Sequence, residues 1–415
     1  MIESREPAGD CVVTAVGLIA PAGRTSRGLH DRLCRGDPCW RPSPASPPGG
    51  AEDVEPAAAS IGGFNIKEFL DRRGSKDLSR TSQLACAAAA PLAGGLKDVA
   101  PEAIGIVLGT GWGSLPSVVA FEWETCTLPV RQVNPLLFAE TVSNAPAGQV
   151  SIQFGWSAFN LTVSSGAASG LAAIAEGSDL LSAGRAEVVI AGGADAINFE
   201  ALRVLRAEGT AASDPGSLPF SRSRSGLIGG EGACLFALES PASARARGAP
   251  ELARLRGARL RYTPEMDASP AGCPDAVAAL LQDLLDGTGL GARDIQLVVA
   301  SACGSPGGDR AEARAIDAVF GGAPGQPMVV APKGVLGETW GASGPLAIAA
   351  AVESMRARRV PGRPRGFAPD PELPPLDIPS GPREARVRNA VVLARSGAGH
   401  LVAVLLSETE DRHAA

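Results

Sequence analysis

The sequence predicts an α/β protein, and three patterns carry that prediction. Short, almost uniformly apolar runs rich in β-branched residues recur along the chain, longer Ala/Leu-rich stretches lie between them, and two segments about 190 residues apart echo one another. A strand that is apolar on both faces must be covered on both faces, and only helices packed above and below a sheet do that.

The strand candidates are Ile104 to Leu108, Glu187 to Ile190, Cys234 to Leu238, Ile295 to Val299, Met328 to Val330, Ala390 to Leu393 and Leu401 to Leu406. Leu171 to Ala183, Ala276 to Leu285, Ala311 to Val319 and Pro345 to Met355 read as helices, and their alternation with the strands gives layered helices and sheet. The echoing segments begin at Gly95 and Gly289, and each holds a helix end, a turn, a buried strand and a Gly-containing loop. They suggest a duplication, with residues 1–240 and 241–415 as two similar halves. Pro38 to Pro56 and Val360 to Pro382 are too proline-dense for helix or central strand and are expected as surface excursions.

Composition narrows the function. At 415 residues, 45% apolar and 20% charged, the chain has ample core for ordinary folding. With 38 basic and 44 acidic residues the net charge is −6, and no long basic stretch is present, so no nucleic acid partner is expected. The longest weakly polar run, Leu84 to Leu96, is 13 residues and contains Pro91, too short to span a membrane. The first residues lack the apolar core of a secretory signal, so a cytoplasmic location is expected. The eight cysteines show no CxxC spacing, and neither a metal site nor a cofactor is expected. Only three histidines exist, His30, His400 and His413, so histidine-based chemistry has few places to sit.

Three Gly-rich segments carry the functional reading. Leu161-Thr-Val-Ser-Ser-Gly-Ala-Ala-Ser-Gly-Leu runs from a strand through a tight turn into a helix, where free N–H groups and the helix dipole would favour a nucleophile. The residue at its tip is Ala167. Pro219-Phe-Ser-Arg-Ser-Arg-Ser-Gly-Leu-Ile-Gly-Gly-Glu-Gly precedes a strand, and Lys333-Gly-Val-Leu-Gly-Glu-Thr-Trp-Gly-Ala-Ser-Gly-Pro leads into a helix. In this order, with Val13-Thr-Ala-Val-Gly-Leu-Ile-Ala-Pro, Ser79-Arg-Thr-Ser-Gln-Leu-Ala and Ala191-Gly-Gly-Ala-Asp-Ala, they resemble the β-ketoacyl-(acyl carrier protein) synthases. The resemblance covers most of the chain. It implies the thiolase-like fold: two similar halves, each a mixed sheet, layered α-β-α-β-α.

That family condenses acyl units with a cysteine and two histidines. Carried over by the motifs, the cysteine falls on Ala167, the histidine of Asn-Ala-His-Gly-Thr on Cys303, and the histidine of Lys-x-x-x-Gly-His on Glu338. Lys333 is retained, and the gating phenylalanine becomes Ser396. Alanine cannot form a thioester, and a carboxylate at 338 repels a malonyl carboxylate. The pattern resembles the chain-length factor, the inactive partner of a catalytic ketosynthase in type II polyketide systems. The resemblance implies a heterodimer with a ketosynthase, an acyl carrier protein as partner, and a tunnel for a growing polyketide or polyene chain. Leu137, Phe138, Thr141 and Val142 are nominated as depth-setting residues, with Phe138 and Thr141 expected at i and i+3 on one helical face.

Two alternatives stay open. One is a condensing or acyl-transfer enzyme with relocated residues, using Cys303, with His400 as its base, or Glu338. The other is a scaffold for carrier protein that touches no acyl chain. His30 and His413 read as solvated surface, and the pairs Arg72/Arg73 and Arg222/Arg224 are candidates to meet an acidic carrier.

Overall fold

The computed structural model describes residues 11–42, 57–70, 74–197, 199–212, 214–264, 273–322 and 325–409. His413, the Arg72/Arg73 pair and the Pro-rich stretch beyond Pro42 lie outside these residues. The first five strands are β1 (Cys11–Ile19), β2 (Ile104–Gly109), β3 (Asn160–Val163), β4 (Val188–Asp195) and β5 (Gly232–Glu239). The next five are β6 (Ala253–Tyr262), β7 (Leu297–Val299), β8 (Met328–Val330), β9 (Asn389–Arg395) and β10 (His400–Ser407). They lie in the order β8-β7-β9-β10-β6-β1-β5-β4-β2-β3.

The two quintets have the same wiring. In each, the first strand pairs antiparallel with the fifth, the fifth antiparallel with the fourth, and the fourth, second and third run parallel. The echoing sequence segments lead into β2 and β7, which hold equivalent places. The expected two sheets are joined edge to edge, because Cys11–Val13 of β1 pairs with Ala253–Leu255 of β6. That seam is three residues long, so the quintets diverge beyond it and helices fit between them.

The helices of ten residues or more are α1 (Ser26–Arg35), α2 (Arg80–Gly94), α3 (Leu115–Thr127), α4 (Ala145–Phe154), α5 (Ser169–Ser182), α6 (Pro274–Thr288), α7 (Pro306–Phe320) and α8 (Ser343–Ala357). Helix α6 shows why the sequence folds this way. Val277, Leu280, Leu281, Leu284 and Leu285 recur at helical spacing and are buried, each worth about 1.5–3 kcal/mol, and Gly289 stops the helix at φ 70°. Three apolar cores separate the layers. One packs α2 and α4 on the first quintet and another packs α6 and α7 on the second, while the largest holds α5 and α8 between them. Among the described residues no helix is long and apolar enough to cross a membrane.

The central helices carry the site. At Gly170 an added Cβ would lie 1.9 Å from the Gly341 carbonyl oxygen, so only glycine allows the starts of α5 and α8 to touch. The loops feeding both helices are thereby brought to one place.

Candidate functional site

The strand-to-helix elbow forms as the sequence predicts. β3 ends at Val163, Gly166–Ala168 make one 3₁₀ turn, and α5 starts at Ser169. Gly166 sits at φ 58°, and a Cβ there would meet the Ser396 hydroxyl at 2.5 Å. The Ser169 hydroxyl accepts from Ser165 N (2.7 Å) and lies within donating distance of the Gly166 and Thr110 carbonyls (2.6 and 3.0 Å). Ala167 is half-buried at the start of the helix, where the dipole is favourable, and offers only a methyl group.

The second half repeats the device. Trp340–Ala342 make a 3₁₀ turn into α8, and the Ser343 hydroxyl accepts from Thr339 N at 2.9 Å. Asp195 fastens the two elbows together: its buried carboxylate accepts from Thr110 Oγ1 (2.7 Å), Gly111 N (2.6 Å), Trp112 N (3.0 Å) and Gly341 N (2.7 Å). Burial pushes this carboxyl up to about 6 while the four donors pull the other way.

Beside the elbows lies a buried charged cluster. Lys333 Nζ donates to Glu338 Oε2 at 2.6 Å and to Ser301 Oγ at 3.3 Å. The other Glu338 oxygen accepts from Ser343 Oγ (2.6 Å) and Trp340 N (2.9 Å). The Glu338 backbone bonds to Ile228 O and Gly230 N, each at 2.7 Å, which ties the Gly-rich stretch after Pro219 to the site. Burial opposes the Lys333 charge, but Glu338 outweighs it and the ammonium's pKa ends above its ordinary value. Three of the four lone-pair sites of Glu338 are thus taken by Lys333, Ser343 and Trp340.

Cys303 stands at the cluster's edge. Its sulfur is held as a neutral thiol, because burial and then the Asp309 carboxylate push it up to about 12. His400 does not rescue it: the imidazole packs against Tyr262, centroids 5.0 Å apart, and among the described residues no hydrogen bond joins it to Cys303. Asp309 is occupied with the backbone, accepting from Phe220 N (3.0 Å), Cys303 N (3.1 Å) and Gly304 N (3.1 Å).

Several expectations need correction. His30 is 4% exposed, not solvated, and its Nε2 bonds to Arg359 O at 2.9 Å. The amphipathic spacing of α1 turns the ring inward, and burial lowers its pKa, keeping it neutral. Arg224 is paired with Asp370 in a nearly buried bridge, so only Arg222 of that pair is exposed. Phe138 and Thr141 do not share a helical face: the helix is a single turn, Pro135–Phe138, and Thr141 lies beyond it with Oγ1 donating to Phe138 O at 2.8 Å. Asn134-Pro135 starts a helix that the bend at 139–143 ends at once. Leu137 and Thr141 are half-buried, whereas Phe138 is 60% and Val142 44% exposed.

Sequence reasoning missed three carboxylates. Glu140 pins the loop of Leu137, Phe138, Thr141 and Val142 to the start of α2, accepting from Ser82 Oγ (2.7 Å), Ser79 N (3.3 Å) and Gln149 Nε2 (3.0 Å). Asp195 was read only as part of a turn. Glu312 accepts from Ser301 N at 2.6 Å, its second oxygen lacks a partner among the described residues, and burial pushes it up to about 7. An unfolded glutamate titrates near ~4.3, so the folded state binds the extra proton between ~4.3 and about 7, and stability falls as pH rises through that window. We expect Glu312→Gln to remove a slope worth about 3 kcal/mol. Urea midpoints at pH 5 and pH 8 check this, and an unchanged slope in the variant would refute it.

Comparison with known proteins completes the geometry. The model "Beta-ketoacyl synthase, N-terminal domain" matches residues 9–244, and "Beta-ketoacyl synthase, C-terminal domain" matches residues 252–365. The chain belongs to the beta-ketoacyl synthase family. A relative in Mycobacterium bovis, 3-oxoacyl-[acyl-carrier-protein] synthase 2, is 31% identical over 75% of this chain and 76% of its own length. Among solved structures, the ishigamide ketosynthase/chain length factor is 25% identical with a TM-score of 0.87, covering 96% of this chain and 99% of that one. A type II PKS acyl-carrier protein in complex with its ketosynthase bound to the hexaketide gives 19% identity and a TM-score of 0.82, covering 97% of this chain and 100% of that one. The family's fold is therefore the fold of this chain.

Proposed function

We propose that this chain is a catalytically silent chain-length factor. It pairs with an active ketosynthase, and the two form a condensing heterodimer served by an acyl carrier protein. The observation that carries the reading is the elbow: its turn, hydroxyl clasp and helix start are intact, yet Ala167 stands where the family's acylated cysteine belongs. Cys303 as a neutral thiol and Glu338 as a carboxylate held by Lys333, Ser343 and Trp340 supply neither decarboxylating group. The same facts weigh against relocated catalysis on Cys303 or Glu338. Likeness to the ishigamide ketosynthase/chain length factor supports the assignment.

The surface around β3 supports a protein partner over a lone scaffold. β3 pairs within the chain only with β2, which leaves its other edge unpaired among the described residues. Trp123, Val130, Phe138, Val142, Ile152 and Leu161 are all exposed on β3 itself or on the segments between β2 and β3. An edge strand with this much apolar surface is unsuited to water alone.

In this reading Leu137, Phe138, Thr141 and Val142 face the partner and bound the tunnel for the growing polyketide or polyene chain. Thr141→Trp in the complex is expected to shorten the product by at least one extension unit. Product masses from the reconstituted pair check this, and an unchanged length in a folded complex would point to a different tunnel lining.

A further inference from the structure

Two of the chain's five tryptophans meet beside the elbow. Trp112 and Trp340 pack edge to face, centroids 5.7 Å apart at 81°. They stand where three backbones converge: a Cβ at Gly111 would lie 3.1 Å from Trp340 Cβ and 3.2 Å from the Gly166 carbonyl, next to residue 167. The Trp340 ring runs inward from there. Its tip comes 3.5 Å from where a Cβ at Gly229 would sit, a point also approached by Ile197 and Leu202.

Two features of this pair are unfavourable to folding. Trp340 adopts φ 43°, a left-handed conformation that a bulky residue avoids. It is held there by Glu338 Oε1 on its own N–H and by Asp195 on the next one. Trp112 Nε1 is buried without a hydrogen-bond partner among the described residues. What the chain gains is a filled volume: two indoles packed on each other, with Trp340 lying against Gly111 and Gly229 at the wall of the elbow.

We propose that this indole pair plugs the passage leading inward from residue 167, so that this chain cannot house a long acyl chain at its own elbow whatever residue stands there. The inference rests on the silent-subunit reading and deepens it. Any growing chain in the complex is then directed to the partner's elbow, and the loss of the nucleophile is matched by closure of the space behind it.

The test needs only the purified full chain. Ala167→Cys supplies a thiol, which is alkylated in parallel with iodoacetamide and with N-decyl iodoacetamide. Both reagents attack the same thiolate, so their rate ratio reports room and not reactivity. With both indoles present the decyl reagent should react at least about tenfold more slowly. Adding Trp112→Ile, or separately Trp340→Leu, should bring the ratio to within about threefold of the ratio for glutathione in solution. Circular dichroism confirms folding, and the two separate variants guard against failure of either one. Equal rates with both indoles in place would overturn the proposal, as would a decyl reagent still excluded from both folded variants. Because no ketosynthase takes part, the outcome is independent of whether the heterodimer forms. A chain that condenses substrates on its own would sink the silent-subunit reading by another route.

Discussion

Replacing Glu338 with leucine should cost about 3–5 kcal/mol of stability, among the largest single effects expected in this fold. The carboxylate is 3% exposed and the Lys333 ammonium it holds is 8% exposed, so the variant leaves a charge buried without its counterion. It also strips the acceptor from Trp340 N and Ser343 Oγ. Glu338→Gln keeps an acceptor for those donors and should lose less. The double variant Lys333→Met/Glu338→Leu removes both charges and should recover most of the loss, because a buried pair replaced by apolar groups is often close to neutral. Denaturant midpoints for the three variants check the order. A Glu338→Leu protein within about 0.5 kcal/mol of the parent would show that the pair carries no structural weight.

Returning a thiol to the elbow should not return the reaction. In Ala167→Cys the sulfur sits at the start of α5, where the helix dipole favours thiolate, and it should accept a short acyl group that intact-protein mass spectrometry detects. Turnover with malonyl-carrier protein should stay at least about 10³-fold below that of a competent ketosynthase. Decarboxylation leaves an enolate that needs donors, and here the two positions offer a neutral thiol and a carboxylate already bound to lysine. Condensation by the single variant would mean that Cys303, Glu338 or an unconsidered group does that work.

Much of this site was legible because tight turns leave strong marks. The elbow, the Gly-rich stretch after Pro219 and the Lys333 loop each require glycine at fixed places, and the structure brings all three together. The buried strands were legible for the same reason as the fold: runs such as Ile104 to Leu108 are apolar on both faces. β6 was not foreseen, since ARLRGARLRY alternates charge with apolar residues and buries one face only. Glu140, Asp195 and Glu312 were missed because a lone carboxylate carries no periodicity; its role appears only when distant N–H groups converge on it. His30 was misjudged because charged neighbours in sequence hid which helical face turns inward.

The most direct measurement of the central claim is a paired incubation. The purified chain is given acyl- and malonyl-loaded carrier proteins, first alone and then together with a catalytically competent ketosynthase of a type II polyketide system. The account predicts no product and no acyl adduct from the chain by itself, and product of defined length from the pair. An acyl group covalently attached to the isolated chain, followed by turnover to a condensed product, would contradict it.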